Sequence, residues 1–273
     1  MFIFFFKPKI LQLEVTNDCN LNCRICMRNK SSREIGYLSL EDFKKLPLDK
    51  FKEVAFHGWG EPLLHPDLIK MISHASSIGL ETSLITNGTL IDERSDEIFE
   101  SGLDSIAFGI FTLKGKEKVI KNLKDFLEEK KERKSKVRTY VDITIFKDNF
   151  DEIKEIARKA DLFGVDGIVL HRIFNLHDES IKSLSLSEEK ELFREIKNLK
   201  LKTRVYFPLK KTYPCAVARN CIYVTWDCKQ SPCCFLCELG YYLGNAHEEG
   251  IFERHAKFLR EAKRNEVCRR CHW

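Results

Sequence analysis

Three closely spaced cysteines are the first residues in the chain that can do metal chemistry. Cys19, Cys23 and Cys26 follow the pattern C-x3-C-x2-C, directly after an apolar run at residues 10–15. Three thiolates at this spacing can hold three corners of a 4Fe–4S cube, and the fourth iron then stays open for a ligand from outside the chain. Structural zinc sites instead use two close pairs of ligands in a closed tetrahedron. The spacing therefore favours an iron–sulfur cluster with one open iron.

A glycine-rich turn is the second feature with a chemical use. It reads His57-Gly-Trp-Gly-Glu-Pro62. Glycines let a ligand approach the backbone closely, and proline stiffens the exit from the turn. The residues alone leave two interpretations open, a ligand-binding turn and an ordinary tight turn from a strand to a helix.

The elements that must position these residues alternate between strand and helix. We predict strands at 10–15, 53–57, 81–86, 103–110, 138–146 and 167–172. We predict helices at 39–45, 67–76, 92–101, 116–131, 151–160 and 187–198. Strands separated by helices pair in parallel with right-handed crossovers. In such folds the functional residues follow the carboxyl ends of the strands, where the three cysteines and the glycine-rich turn lie.

Eight of the eleven cysteines lie near the carboxyl end of the chain. They are Cys215, Cys221, Cys228, Cys233, Cys234, Cys237, Cys268 and Cys271. We predict hairpin strands at 221–225 and 229–232 and a helix at 251–263. The sequence shows no signal-peptide pattern, so the thiols indicate metal binding in a reducing cytoplasm rather than disulfides.

Composition limits the classes of partner. The chain has 273 residues, 43% of them hydrophobic, which is enough for one large and one small domain. Lys and Glu alternate on predicted helices, for example at 126–133, and the net charge is only +5. This pattern favours solvated helix faces, and we expect no nucleic-acid partner. The apolar residues 1–6 are too few to cross a membrane, and we expect no membrane association.

The cysteine triad after a first strand resembles the radical S-adenosylmethionine (radical SAM) superfamily. The resemblance implies an α/β fold, a partial (β/α)6 TIM-like barrel at residues 1–204 followed by a small Cys-rich auxiliary cluster domain at 205–273. It implies that Cys19, Cys23 and Cys26 bind a 4Fe–4S cluster whose open iron takes the amino and carboxylate groups of SAM. Ile25 stands where the family is usually aromatic.

The glycine-rich turn resembles the family's GGEP motif, with Trp59 in the place of a common glycine. The motif implies that Gly58, Trp59 and Gly60 hold the amino group of SAM and that Glu61 orients the turn or accepts a hydrogen bond. The sequence Thr-Asn-Gly after the third predicted strand also occurs in similar enzymes. The resemblance therefore implies that Asn87 faces the cleft.

The remaining SAM contacts depart from the family. A Ser-x-Asp that often follows the fourth strand in the family is missing here. We therefore expect contacts to the SAM carboxylate or ribose from Thr144 and from Arg172, whose guanidinium can bind a carboxylate through two bonds. His171 is a second candidate. For each of these residues, an ordinary polar position at the rim of the barrel stays open as the alternative.

The cysteine-rich tail resembles the SPASM domain and its shorter Twitch form. The resemblance implies one auxiliary 4Fe–4S cluster, whose expected ligands are Cys215, Cys233, Cys268 and Cys271. Cys228 replaces the family's hairpin glycine. Three interpretations of the other tail cysteines stay open. They are free thiols, they hold a second auxiliary cluster, or Cys221 or Cys234 replaces one of the four expected ligands.

The resemblance implies an oxidoreductase or maturase. Reductive cleavage of SAM would give a 5′-deoxyadenosyl radical, which takes a hydrogen atom from a peptide, a protein or a cofactor precursor. By analogy, the expected functions include maturation of a peptide or of the cofactor of a tungsten- or molybdenum-pterin oxidoreductase. The expected electron donor is a reductant such as ferredoxin or flavodoxin. The rival classes are a non-catalytic iron–sulfur electron carrier, which leaves the glycine-rich turn unexplained, and a zinc-binding structural module.

Overall fold

The computed structural model describes residues 7–174 and 178–271, so residues 1–6, discussed above for their apolar character, lie outside it. The strands are β1 (Ile10–Leu13), β2 (Glu53–Phe56), β3 (Glu81–Thr86), β4 (Ser105–Gly109), β5 (Arg138–Ile145), β6 (Gly167–Arg172), β7 (Val205–Tyr206), β8 (Cys221–Val224), β9 (Lys229–Ser231) and β10 (Gly244–Asn245). No helix in the described ranges combines the length and the apolar character that a membrane span requires.

The helices follow the strands in the predicted alternation. They are α1 (Leu40–Lys45), α2 (Leu68–Ser77), α3 (Ile91–Glu100), α4 (Glu117–Glu132), α5 (Phe150–Phe163), α6 (Leu186–Asn198), α7 (Ala216–Asn220), α8 (Cys234–Cys237), α9 (Ile251–Glu261) and α10 (Glu266–Arg270). Single 3-10 turns lie at Met27–Lys30, Leu48–Lys50, Pro62–Leu64, Lys147–Asn149 and Ala262–Arg264. The predicted strands and helices are all present, and the largest difference among the first six helices is at the end of α5, predicted at 160 and found at Phe163.

The described residues form two compact units, one made of the chain up to Leu84 and from Leu209 on, the other of Ile85–Pro208. In the first unit the strand order is β10-β9-β8-β1-β2-β3. The predicted hairpin is confirmed as antiparallel β8 and β9, and β8 pairs in parallel with β1. The tail thus supplies a strand beside β1. The division of the chain into a core domain at 1–204 and an auxiliary cluster domain at 205–273 stays a prediction.

The central position of β1 explains the burial of its neighbourhood. β1 has parallel partners on both sides, β2 and β8. Leu11 and Leu13 are completely buried, and so is the charged Glu14 that follows the strand. A buried carboxylate requires hydrogen-bonding or charged partners. The fold therefore needs a group that stabilises Glu14.

The second unit is a parallel sheet with the order β4-β5-β6-β7. Along β5 the apolar Val141, Ile143 and Ile145 are buried, whereas the alternating Asp142 and Thr144 are half-buried. A strand turns successive side chains to opposite faces, so this alternation separates an apolar face from a polar one. The polar face carries Thr144, which the sequence predicts to contact SAM.

Candidate active site

The start of the cysteine-bearing loop is fixed by buried polar side chains. The Thr16 hydroxyl donates to the Gly36 carbonyl over 2.7 Å. The Asn17 amide donates to the Glu34 carbonyl over 2.8 Å, and its oxygen accepts from the Gly36 nitrogen over 2.9 Å. Both side chains are buried, so these bonds are shielded from water. The loop therefore leaves β1 in one direction, and Cys19 follows two residues later.

The three cysteines of the loop lie within electrostatic reach of one another. Each is partly exposed, and the Cys26 nitrogen donates to the Cys23 carbonyl over 2.9 Å. Burial raises the pKa of the Cys26 thiol; Arg28 opposes this rise, and the charges of Cys23 and Cys19 add to it. Soft thiolate donors grouped in this way suit an iron–sulfur cluster. The donor set therefore fits the predicted three-cysteine site.

The glycine-rich turn packs directly on the loop. The Glu61 nitrogen donates to the Asp18 carbonyl over 2.7 Å. A methyl group added at Gly60 would lie 2.2 Å from the Thr16 carbonyl oxygen, so the approach is possible only for glycine. The buried Glu61 carboxylate accepts from the Leu63 nitrogen over 3.0 Å and so orients the exit of the turn. The structure thus brings the turn against the cysteine loop.

Substitution of Gly60 tests this packing. We expect Gly60→Ala to destabilise the protein by about 1–3 kcal/mol, because backbone carbonyls cannot move aside as a flexible side chain can. The measurement is the free energy of unfolding in denaturant. Gly109→Ala is the matched control, since its new methyl group would meet only the Thr86 carbonyl at 3.6 Å. Equal unfolding free energies for the two variants would contradict the described contact.

Trp59 connects the turn to the cysteine-rich tail. Its indole nitrogen donates to the Cys234 carbonyl over 2.8 Å, and its ring centroid lies 5.6 Å from that of Phe235. Its backbone nitrogen donates to Glu14 over 3.5 Å. The role of Trp59 in SAM binding stays a prediction. The structure adds that the residue contacts the tail segment at Cys234 and Phe235.

A buried charge cluster below the turn was not predicted from the sequence. Glu14 accepts from the Tyr223 hydroxyl over 2.7 Å and from both terminal nitrogens of Arg33. Arg33 also pairs with Glu238 and lies 3.6 Å from the Cys237 sulfur. The ligand atoms of Glu14, Cys237 and Glu238 lie within 4.8 Å of one another, as in a metal site. Because Arg33 contacts all three, the cation of this cluster is its guanidinium.

The pKa shifts in the cluster agree with this charge assignment. Burial alone would lower the pKa of Arg33, but the hydrogen bond and charge of Glu14 raise it. Burial raises the pKa of Cys237, and the charge of Glu14 adds to the rise. Burial likewise raises the pKa of Tyr223. The guanidinium is therefore charged, whereas the thiol and the phenol stay neutral and act as hydrogen-bond donors.

The four expected tail ligands also lie near one another. Burial raises the pKa of Cys268 to about 11, and the charges of Cys215 and Cys271 add to the rise. Burial raises the pKa of Cys233, and the charges of Cys234 and Cys215 add to the rise. These interactions link Cys268 to Cys215 and Cys271, and Cys233 to Cys215. An auxiliary cluster takes four thiolates, and the assignment of these four as its ligands stays a prediction.

The other four tail cysteines have different surroundings. Burial raises the pKa of Cys234 to about 12, and the charges of Cys271 and Cys221 add to the rise. Cys221 and Cys234 therefore lie beside the expected ligands. Cys228 has a positive φ of 60° in the hairpin turn, a backbone conformation that favours glycine, and its charged neighbours are Asp42, Asp227 and Lys45. Cys237 belongs to the Arg33 cluster. This placement does not favour a second auxiliary cluster made of these four.

Three further predicted site residues lie in the second compact unit. The Asn87 side-chain oxygen accepts from the Thr89 nitrogen over 2.9 Å and so shapes the turn after β3. Thr144 on β5 is the register partner of His171 on β6. Arg172 binds the Glu189 carboxylate through two bonds of 2.6 and 2.8 Å. This pairing with a protein carboxylate is what the alternative of an ordinary polar rim position expects, and the contact of Arg172 with SAM stays a prediction, as do those of Asn87 and Thr144.

His171 forms an acid–base pair that a titration can test. Its Nε2 lies 3.1 Å from Asp142, and its side chain is 30% exposed. Burial lowers the pKa of His171, but the charge of Asp142 and its hydrogen bond raise it above the ordinary 6.5. The pair therefore stabilises the fold fully below pH 6.5, and this stabilisation is lost as the pH rises through the folded-state pKa.

We expect Asp142→Asn to bring the pKa of His171 below 6.5, because burial then acts without the opposing charge. NMR titration of the imidazole resonances measures the shift. The control is His255, whose pKa is lowered by burial and should not change in the variant. An unchanged pKa of His171 would show that the pair does not form in solution.

The fold and the site define a class, an α/β protein with a parallel sheet and a cysteine triad for an iron–sulfur cluster. Residues 13–189 match the Radical SAM superfamily, and the chain belongs to this superfamily. Its fold class and its cofactors, a 4Fe–4S cluster and SAM, follow from this membership and agree with the expectations from the sequence. The cysteine-rich tail is consistent with a SPASM or Twitch domain.

Relatives extend the similarity beyond the triad. The chain is 28% identical over 277 residues to the tungsten-containing aldehyde ferredoxin oxidoreductase cofactor-modifying protein of Pyrococcus furiosus, covering 91% of this chain and 75% of the relative. It is 35% identical over 106 residues to the PqqA peptide cyclase of Bradyrhizobium diazoefficiens, covering 35% of this chain and 27% of the relative.

Solved structures support the fold. Streptococcus suis SuiB bound to S-adenosylmethionine is similar with a TM-score of 0.74 and 14% identity, covering 97% of this chain and 72% of that chain. SuiB bound to the precursor peptide SuiA has the same TM-score and identity, covering 90% of this chain and 64% of that chain. At this identity the likeness shows the fold alone.

Proposed function

We propose that the protein is a radical SAM oxidoreductase or maturase with one auxiliary cluster. In this proposal Cys19, Cys23 and Cys26 hold a 4Fe–4S cluster and the turn at 58–61 holds the amino group of SAM. When bound and reduced, the cluster would supply the one electron that cleaves SAM into methionine and a 5′-deoxyadenosyl radical, and this radical would take a hydrogen atom from the substrate. The auxiliary cluster is held by Cys215, Cys233, Cys268 and Cys271.

The packing of the turn on the cysteine loop is the observation that carries the proposal. Glu61 bonds to Asp18, one residue before the first cysteine, and Gly60 lies against the Thr16 carbonyl. A ligand bound at the turn therefore lies next to the cysteine triad. An electron carrier has no use for this arrangement, whereas a SAM-cleaving enzyme must hold SAM at the open iron. Fixed positions of this kind contribute to catalysis by orientation.

In this mechanism the residues around the site orient SAM and contact its carboxylate or ribose. The cysteine loop and the turn are held by buried bonds, so they orient SAM without rearranging. In the second unit, Arg172 and Thr144 are proposed to contact the SAM carboxylate or ribose. Exclusion of water protects a reactive radical from side reactions.

The substrate is proposed to be a peptide, a protein or a cofactor precursor. The relative with the longest match reported above modifies the cofactor of a tungsten-containing oxidoreductase, whereas PqqA cyclase acts on a peptide and SuiB binds one. These names support both substrate classes. We further propose a cytoplasmic location and a reductant such as ferredoxin or flavodoxin.

The test uses the anaerobically reconstituted full chain. Dithionite and SAM are added, and 5′-deoxyadenosine is quantified by chromatography. The proposal expects 5′-deoxyadenosine from iron-loaded protein and none from zinc-loaded protein. A fully iron-loaded protein that releases no 5′-deoxyadenosine would favour a non-catalytic electron carrier, and preferential retention of zinc would favour a structural module.

A further inference from the structure

Arg33 joins segments that are far apart in the sequence. It follows the cysteine triad, it binds Glu14 at the end of β1, and it binds Glu238 directly after α8. The side chains of Glu14 and Glu238 are 0% and 1% exposed, and that of Arg33 is 12% exposed. This buried position makes the three charges dependent on one another, because solvent cannot replace a lost partner.

The same cluster contacts the proposed SAM-binding turn. A methyl group added at Gly58 would lie 2.6 Å from the Glu14 Cβ, so the turn rests on Glu14. From the other side, the Trp59 indole donates to the Cys234 carbonyl, which also accepts from the Cys237 thiol over 2.9 Å. The turn is therefore held between Glu14 and α8.

Arg33 is the central member of the charge cluster, because it is the cation that balances Glu14 and Glu238. Two buried carboxylates face one guanidinium. Within residues 7–174 and 178–271, Glu238 Oε2 has no hydrogen-bond partner. The contact of Glu238 with Arg33 is thus its main electrostatic compensation. Movement of α8 away from β1 would leave a buried charge without a partner, which is strongly unfavourable.

We propose that Arg33 is a positioning residue that couples SAM binding at the turn to metal binding at the tail cysteines. The inference rests on the proposed function. α8 begins directly after Cys233, so cluster binding by the tail fixes α8, and Glu238, Arg33 and Glu14 pass this constraint to the turn. Because coupling between two sites is reciprocal, bound SAM should also raise the affinity of the tail for its iron by the same factor.

A double-mutant cycle on the binding of SAM tests the coupling. The dissociation constant of labelled SAM is measured by equilibrium dialysis for the reconstituted full chain, for Cys268→Ala with Cys271→Ala, for Glu238→Gln, and for the combination. We expect the tail variant and Glu238→Gln each to weaken binding about tenfold. The combination should be no weaker than either alone, because both changes interrupt the same connection.

Two controls separate coupling from general damage. Glu155→Gln removes a carboxylate whose side chain is 48% exposed, and it should leave SAM affinity unchanged. Arg33→Lys keeps the charge but lacks the fork that binds two carboxylates, and it should behave like Glu238→Gln. Both Arg33→Lys and Glu238→Gln should keep the iron content of the triad. If both variants lost the iron of the triad, the charged residues Glu14, Arg33 and Glu238 would only support the structure, and the inference would be wrong.

The outcomes distinguish the two proposals. Weakening factors that multiply in the combination, or a tail variant that binds SAM as tightly as the original protein, would overturn the coupling. If the original protein still formed 5′-deoxyadenosine in that case, the proposed function would stand without the coupling. Failure of the loaded original protein to bind or cleave SAM would overturn both proposals.

Discussion

Cys23→Ala is expected to reduce SAM cleavage to the background level and to remove about four irons per chain. Cys23 is the middle residue of the triad, and two remaining thiolates cannot hold a cube with one open iron. The tail group lies at other residues and should keep its iron. The measurements are 5′-deoxyadenosine after addition of dithionite and SAM, and iron per chain.

Cys228→Ala is the matched control for Cys23→Ala. It also replaces a cysteine with alanine, but its charged neighbours are Asp42, Asp227 and Lys45 rather than either cysteine group. We expect unchanged iron content and unchanged SAM cleavage. Cleavage that survives in Cys23→Ala would show that the triad is not the radical-forming site. Iron lost from Cys228→Ala would revive the second auxiliary cluster.

Simultaneous Cys268→Ala and Cys271→Ala is expected to lower the iron content from about eight to about four per chain. Half of the expected tail ligands are then missing, so the auxiliary cluster cannot be held. SAM cleavage at saturating SAM should persist, since the triad is unchanged. Elemental analysis and chromatography measure the two results in one sample.

The interpretation of the iron count depends on the starting value. About twelve irons in the original protein would require a third cluster and would contradict the placement of Cys228 beside Asp42 and Asp227 and of Cys237 beside Glu14 and Arg33. An iron content unchanged by the double substitution would contradict the assignment of Cys268 and Cys271 as ligands.

The local features of this fold were predictable because they depend on neighbouring residues. The strands and helices follow from short apolar periods and cap residues, as at Ser39, which caps α1 by accepting from the Asp42 nitrogen over 3.0 Å. The cysteine triad was equally accessible, because its ligands lie within eight residues of sequence. Parallel pairing of the strands was inferred correctly from their alternation with helices.

The Arg33 cluster was missed because its partners are distant in the sequence. Arg33 and Glu238 are separated by 205 residues, so no local pattern connects them. The sequence does contain one indication of a buried ion pair, which is the charged Glu14 within the apolar run at 10–15. A carboxylate in a buried strand predicts a buried partner, although a single sequence does not say which residue supplies it.

Arg172 illustrates an intermediate case. The sequence predicted that its guanidinium binds the carboxylate of SAM through two bonds, whereas the structure pairs it in that way with Glu189 at the start of α6. The chemistry of the side chain was thus predictable, but the choice of partner depends on how α6 packs. Its proposed contact with SAM requires a separate test.

The proposal that SAM binds the open iron of the triad through its amino group is tested most directly by electron–nuclear double resonance. The sample is the reduced protein with SAM labelled with ¹⁵N at its amino group. We predict a nitrogen coupling to the cluster, because in the proposed site the triad leaves one iron open beside the turn that holds the amino group of SAM. The coupling should be absent in Cys23→Ala. A fully iron-loaded original protein that binds SAM without this coupling would contradict the account.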